Sequence, residues 1–221
     1  MARSTDSRSG LWQRWFIKSP SAPLSADAGG FGALLEGRFG DAEKLLAAAL
    51  RRAAQQRPES VEHAAALSDL ADLYRAQARY EEAEPLFRQA IALLERLGDA
   101  AHAHAARPLN SLALVYRAQG LYERAEPLCH RALAILEALN GPEHPSTASA
   151  LSNLLTVYLA QGRYCDAGPL FRRSVAIKER LLGPRHPDLA GSFSNYAAFL
   201  RKTSGDAEAA AWEARAEALR G

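Results

Sequence analysis

The sequence predicts an all-α protein, a solenoid of antiparallel helix hairpins, and two observations carry that prediction. One stretch recurs almost unchanged, as YRAQARYEEAEPL at 74–86, YRAQGLYERAEPL at 116–128 and YLAQGRYCDAGPL at 158–170. The copies stand 42 residues apart each time, and a fixed period of this length indicates repeated structural units. Within each unit, apolar residues recur with the period of an amphipathic helix.

The first half of each unit is predicted to be one helix. Counting the first clear unit from Leu67, apolar side chains follow at Leu70, Ala71 and Tyr74, which is the i, i+3, i+4, i+7 spacing of a single helix face. The same columns return 42 and 84 residues later and end at Tyr116 and Tyr158.

A second helix is predicted after a break at Ala78, Gly120 and Gly162. It carries a small residue that lets two helix backbones approach closely, and four residues later a larger one that fills the adjacent space. These pairs are Ala83 and Phe87, Ala125 and Cys129, and Ala167 and Phe171. Proline lies near the start of this helix, where a missing N–H costs least.

The units are joined by turns that read LNGPEHPST at 139–147 and LLGPRHPDL at 181–189. Gly141 and Gly183 can end a helix, and the prolines that follow prevent its continuation. Ser146 and Asp188 are predicted to be the N-caps of the next first helix. Each unit is therefore a helical hairpin.

These columns resemble the tetratricopeptide repeat, and the 42-residue length with its GPxHP turn is similar to the kinesin-light-chain type. The resemblance covers roughly residues 37–221 and implies a right-handed superhelical solenoid. HEAT and armadillo repeats have similar lengths but do not explain the aromatic and alanine columns.

The resulting division has a tail, four repeats and a cap. The tail, rich in Ser, Pro and Arg, is predicted to be flexible, and the first repeat is degenerate because ADAGGFGALL is a poor helix. The last repeat is truncated and caps the array, with Glu213 in a column that elsewhere holds Phe or Cys. The predicted boundaries are 1–24 for the tail, 25–66 for the degenerate repeat, then 67–108, 109–150, 151–192 and 193–221.

Composition and motifs argue against several functions. A formal net charge of +2 in 221 residues is too small for the basic field that nucleic-acid binding needs. The chain has two cysteines with no disulfide framework, and we find neither a signal sequence nor a membrane span, so the cytoplasm is the expected location.

No motif predicts catalysis or a cofactor. His102, His144 and His186 recur at intervals of 42, but neighbouring hairpins lie too far apart for equivalent histidines to share a metal ion. Cys129 falls in a packing column, and nothing supplies a base for Cys165. The chain is therefore predicted to be neither an enzyme nor a metalloprotein, and to need no cofactor.

The resemblance implies that the first helices line a concave groove that binds a peptide or helix of a partner protein. Asparagine amides can both donate to and accept from an extended peptide, and basic side chains favour acidic partner residues. The predicted partner-binding residues are Arg75, Asn110, Arg117, Asn153, Asn195, Arg201 and Lys202. Asp69 and Asp72 would make the N-terminal end of the groove acidic, so that acidic partner residues prefer the C-terminal repeats.

The tail offers a second hypothesis. Trp12, Trp15 and Phe16 in LWQRWF have the spacing of a short docking segment, and exposed aromatics are frequent recognition hot spots. The alternative function is therefore an assembly subunit that docks through this tail or through the convex face. The sequence leaves open whether the chain forms a homo-oligomer.

Overall fold

The computed structural model describes residues 32–33 and 36–220. Within them the long elements are all α-helices and no strand occurs, which confirms the all-α class. The helices are α1 (Phe39–Gln56), α2 (Val61–Ala76), α3 (Tyr80–Arg96), α4 (Ala106–Ala118), α5 (Tyr122–Asn140), α6 (Pro145–Ala160), α7 (Tyr164–Leu182), α8 (Leu189–Thr203) and α9 (Asp206–Ala218). The predicted tail residues Trp12, Trp15 and Phe16 lie outside the described part.

The chain divides into two compact units, an N-terminal unit up to Ile135 and a C-terminal unit from Leu136. In the N-terminal unit, α2 and α3 form a hairpin, with α1 packed on α2 and α4 packed on α3. The C-terminal unit contains two hairpins, α6 with α7 and α8 with α9, joined by packing of α7 on α8. Antiparallel hairpins are therefore the building blocks, as the columns predict.

The predicted packing columns form the core. The alanines of the second helices, Ala83, Ala125 and Ala167, are each 0% exposed, and the larger residues four positions later are buried beside them. Cys129 belongs to this column, and burial raises the pKa of its thiol to about 12. Its role as a packing residue in a protonated state agrees with the sequence prediction.

The helix break has a defined backbone conformation. Gly120 and Gly162 have φ of 76° and 72°, and Ala78, which occupies the same column, has φ of 58°. This left-handed region is easily reached by glycine but is costly for a residue with a Cβ.

We therefore expect Ala78→Gly to raise the free energy of unfolding, and Gly120→Ala to lower it, each by about 1 kcal/mol. A Cβ at Gly120 would meet no atom within 4 Å, so the effect comes from backbone conformation alone. Urea unfolding followed by circular dichroism measures both. A loss of stability in Ala78→Gly would show that the turn is not strained.

The predicted N-caps need correction. Helix α6 begins at Pro145, so its N-cap is His144, and Ser146 lies inside the first turn. Proline fits the first helical position because the N–H it lacks has no partner there. Asp188 is the N-cap of α8, but its side chain makes no capping bond; instead its N–H donates to Nδ1 of His186 at 3.2 Å.

The joint between α3 and α4 is irregular, as GDAAHAHAARP suggests. A single helical turn, Asp99–His102, passes through a 3-10 turn, Ala103–Ala105, into α4. Helix α4 starts three residues before Leu109, whereas α2 starts six residues before Leu67, so this first helix does begin late. Pro108 lies in its first turn, where proline is tolerated.

Candidate functional site

One narrow face of the first helices stays accessible. Between Arg107 and Arg117 of α4, the residues that are not buried are Arg107, Asn110, Leu114 and Arg117, whose 3-4-3 spacing places them on one helix face. The same columns are accessible in α6 and α8. We call these residues the first-helix stripe: Arg107, Asn110, Leu114 and Arg117 in α4; Ser149, Ser152, Thr156 and Leu159 in α6; Gly191, Ser194, Ala198 and Arg201 in α8.

In the N-terminal unit, the corresponding face of α2 is covered by charged groups. Nη2 of Arg107 reaches Oδ1 of Asp69 at 2.5 Å and Oδ2 of Asp72 at 2.8 Å. Nε of Arg75 donates to Oδ1 of Asp72 at 3.1 Å, and the Ser111 hydroxyl donates to the same oxygen at 2.9 Å. We call these five residues the acid–arginine cluster. It ties α2 to α4 through buried charges.

The electrostatics of this cluster balance burial against pairing. Burial alone would raise the pKa of Asp72, but the charges of Arg75 and Arg107 outweigh it and hold that pKa below its usual value. Burial would likewise lower the pKa of Arg107, and the two carboxylates raise it instead. The side chains of Asp69 and Asp72 are 1% and 7% exposed, so the prediction that they make one end of the groove acidic is wrong. They are neutralised internally.

The predicted binding residues of the N-terminal unit lie on or beside the stripe. Asn110 is half-buried and Arg117 is exposed. Arg75 retains 24% exposure but is tied to Asp72 through its Nε. Ser68 and Ser111, which the sequence places in groove columns, are buried, and Ser68 donates to the Ala64 carbonyl at 2.9 Å.

In the C-terminal unit, Asn153 is half-buried, whereas Asn195 and Lys202 are exposed. Arg201 is also exposed, and its guanidinium forms an ion pair with Glu213 of α9. This pairing explains Glu213, because the capping helix uses its polar residue to hold the preceding helix. Whether these side chains bind a partner stays a prediction.

Three hydroxyls of the α6 stripe are already satisfied by their own helix. Ser149 donates to the Pro145 carbonyl at 3.1 Å, Ser152 to Ala148 at 2.9 Å and Thr156 to Asn153 at 2.8 Å. Because helical Ser and Thr often bond back to a carbonyl one turn earlier, this part of the stripe offers a shallow surface of small side chains. Its polar contacts come from the asparagines beside it.

The second helices are cross-linked by charge, which the sequence analysis missed. Glutamates near the end of one second helix pair with arginines of the next, always 36 residues on: Glu95 with Arg131 at 2.5 Å, Glu137 with Arg173 at 2.6 Å and Glu179 with Arg215 at 2.5 Å. Their recurrence at 42-residue intervals was the available signal. We call this set the second-helix ladder.

Tyrosines of the first helices are anchored in a similar way in the N-terminal unit. The Tyr74 hydroxyl donates to Glu43 at 3.1 Å, and the Tyr116 hydroxyl donates to Glu84 at 2.8 Å. Burial followed by the neighbouring carboxylate raises the pKa of each phenol, so both stay protonated and able to donate. These glutamates therefore have a structural role.

Metal and redox chemistry find no assembled site in the described residues. Among residues 32–33 and 36–220, no three His, Cys, Asp or Glu side chains gather as metal ligands would, and Cys129 and Cys165 are free thiols. No helix in that part of the chain combines the length and the hydropathy of a membrane span.

Comparison with known proteins identifies the family. The sequence matches the tetratricopeptide repeat over residues 30–96 and 104–179. The chain belongs to the tetratricopeptide repeat family. No curated protein matches it significantly.

Two solved structures establish the type of repeat. BtubC (BKLC) from P. vanneervenii is 26% identical with a TM-score of 0.78, covering 86% of this chain and 76% of its own. The putative kinesin light chain repeats of Podosopora anserina are 25% identical with a TM-score of 0.74, covering 86% and 91%. MamA, at 17% identity and a TM-score of 0.62, shares the fold.

This protein therefore has kinesin-light-chain-like tetratricopeptide repeats, as the 42-residue period and the GPxHP turn predict. The fold implies a protein–protein interaction scaffold, and members of the family are typically non-catalytic.

Proposed function

We propose that this protein binds a peptide or a helix of a partner protein along the first-helix stripe and has no catalytic activity of its own. The observation that carries the proposal is the periodic exposure of that stripe. In α4 it is interrupted only by buried residues, and the same columns are open in α6 and α8. A surface repeated at 42-residue intervals suits an elongated ligand.

The chemistry of the stripe suits backbone recognition. Asn110, Asn153 and Asn195 stand on or beside it, and an amide side chain can donate to a peptide carbonyl and accept from a peptide N–H. Arg117 and Lys202 are exposed cations that would favour acidic partner residues. A carboxylate that binds Arg201 would have to compete with Glu213.

The second-helix ladder supports the same choice of surface. Its glutamates and arginines already satisfy one another, so that face offers fewer charged groups to a partner. The similarity to putative kinesin light chain repeats is consistent with an adaptor role.

The alternative of an assembly subunit stays a prediction. Its proposed docking residues, Trp12, Trp15 and Phe16, lie outside the described residues. Docking through the convex face, the cytoplasmic location and the oligomeric state are likewise predictions.

The proposal is tested by affinity capture from a lysate of the source cell. We expect the variant Asn153→Ala/Asn195→Ala/Arg201→Ala to retain at least about tenfold less of the partner than the unchanged protein, since a few central contacts dominate such interfaces. The matched control is Arg88→Ala/Gln89→Ala/Glu123→Ala, three exposed residues of the second helices.

Circular dichroism must first show that both triple variants are folded. Equal capture by the stripe variant and the control would overturn the proposed surface and direct attention to the second helices or the tail.

A further inference from the structure

The turn before α6 is held by an imidazole. Pro145 has no N–H, so Ser146 carries the first amide of the helix that needs an acceptor. That amide donates to Nδ1 of His144 at 3.2 Å, and the Ser146 hydroxyl lies 2.7 Å from the same nitrogen. Because a backbone N–H can only donate, Nδ1 must carry its lone pair. The capping imidazole is therefore neutral, with its proton on Nε2.

The hydroxyl of Ser146 completes this arrangement. Nδ2 of Asn140 donates to that oxygen at 3.1 Å, which leaves the hydroxyl proton available for Nδ1 of His144. The turn is closed on its other side by Thr147, whose hydroxyl donates to the Gly141 carbonyl at 2.9 Å. The imidazole thus accepts from two donors at the start of α6.

A proton on Nδ1 would remove both interactions. It would also put a cation at the positive end of the α6 dipole. The neighbouring charges do not compensate: Glu143 is paired with Arg180 of α7, and Arg173 of α7 pairs with Glu137 of α5 and donates to the Pro142 carbonyl. Within the described part of the chain, no carboxylate forms an ion pair with His144.

The other hairpin starts respond differently. At α8, Nδ1 of His186 accepts from Asp188 N–H, but the Asp188 carboxylate lies 3.7 Å away and would stabilise a charged ring. At α2, the cap is the Ser60 hydroxyl, which accepts from His63 N–H at 3.1 Å. Nδ1 of His63 contacts the Pro58 carbonyl at 2.6 Å, so it acts as a donor and keeps that bond when the ring is charged.

We propose that His144 is a pH-sensitive N-cap, which releases the first turn of α6 when its imidazole is protonated. The neutral ring is the form that the folded turn requires. The stabilisation is therefore present at higher pH and is lost as the pH falls through the range of about 8 to 5 in which imidazoles change charge. The first turns of α6 carry Ser149 and Ser152, so the switch acts on the first-helix stripe.

The experiment is amide hydrogen exchange on the full chain at about pH 7.5 and about pH 5.5, with intrinsic rates corrected for pH. Loss of an N-cap corresponds to roughly a fivefold increase in opening. We expect this increase in the first turn of α6 and not in α2. His144→Asn keeps a capping side chain without a titrating group and should abolish the pH response, whereas the control His63→Asn should leave it intact.

An α6 response that is the same in the unchanged protein and in His144→Asn would overturn the proposal. So would no response in the unchanged protein. The tautomer gives a test that needs no variant: NMR of the His144 ring should show the proton on Nε2 near pH 7.5, and a proton on Nδ1 would also overturn the proposal.

Discussion

Replacing Arg107 with alanine is expected to lower the free energy of unfolding by about 3–5 kcal/mol, because it leaves two carboxylates buried without their shared cation. Arg107 is 16% exposed and contacts both Asp69 and Asp72, while Arg75 reaches only Asp72. The effect belongs to the N-terminal unit, where the acid–arginine cluster joins α2 to α4. Urea unfolding followed by circular dichroism measures it.

Arg131→Ala is the matched control. It removes the same type of side chain from the second-helix ladder, where Arg131 and Glu95 are each 47% exposed, and the expected loss is about 0–1 kcal/mol. If the two variants lost equal stability, the cluster would contribute no more than a surface ion pair.

The Arg107 cluster also has a predictable pH dependence. The pKa of Asp72 is lowered, so its stabilisation is present above the ordinary pKa of an aspartate and is lost as the pH falls through the lowered value. The neutral variant Asp72→Asn combined with Arg107→Ala should recover part of the loss. Recovery would show that an unpaired charge, rather than lost packing, is responsible.

Phe193→Ala is expected to lower the free energy of unfolding by about 3–5 kcal/mol, through lost burial and a cavity. Phe193 is 0% exposed and packs edge-on against Trp212 of α9, with ring centroids 5.2 Å apart. The Arg215 guanidinium lies 4.5 Å from the centre of the Phe193 ring and pairs with Glu179. The residue therefore joins α8, α9 and the second-helix ladder.

Phe39→Ala makes the same chemical change at a residue that is 41% exposed, and we expect a loss below about 1 kcal/mol. Urea unfolding of both variants by circular dichroism provides the comparison. An equally small effect in Phe193→Ala would mean that α9 does not depend on this aromatic contact.

The period of the sequence was sufficient to predict the hairpins, because every apolar column repeats at a fixed interval and each column has one role. Ala83, Ala125 and Ala167 are fully buried for the reason inferred from their size. The N-cap of α6 was placed two residues late because serine is the commoner cap, whereas Pro145 takes the first helical position and shifts the cap to His144.

The binding surface was only partly predictable. The columns of Ser68 and Arg75 do share one face, but the column of Asp69 is rotated by about a quarter turn, so Ser111 in that column is buried. The column of Leu114 and Thr156 belongs to the accessible face and could have been found from the i, i+4 spacing. The pairing of Arg107 with Asp69 and Asp72 depends on the packing of α4 beside α2, which a single helix pattern does not contain.

The most direct test of the partner surface is site-specific photo-crosslinking in a lysate of the source cell. A benzoyl-phenylalanine at Thr156 or Ala198 would report contacts of the first-helix stripe, and one at Ala176 would report contacts of a second helix in the same C-terminal unit. We predict that the stripe positions capture a partner and that Ala176 does not. Capture at Ala176 alone would contradict the account.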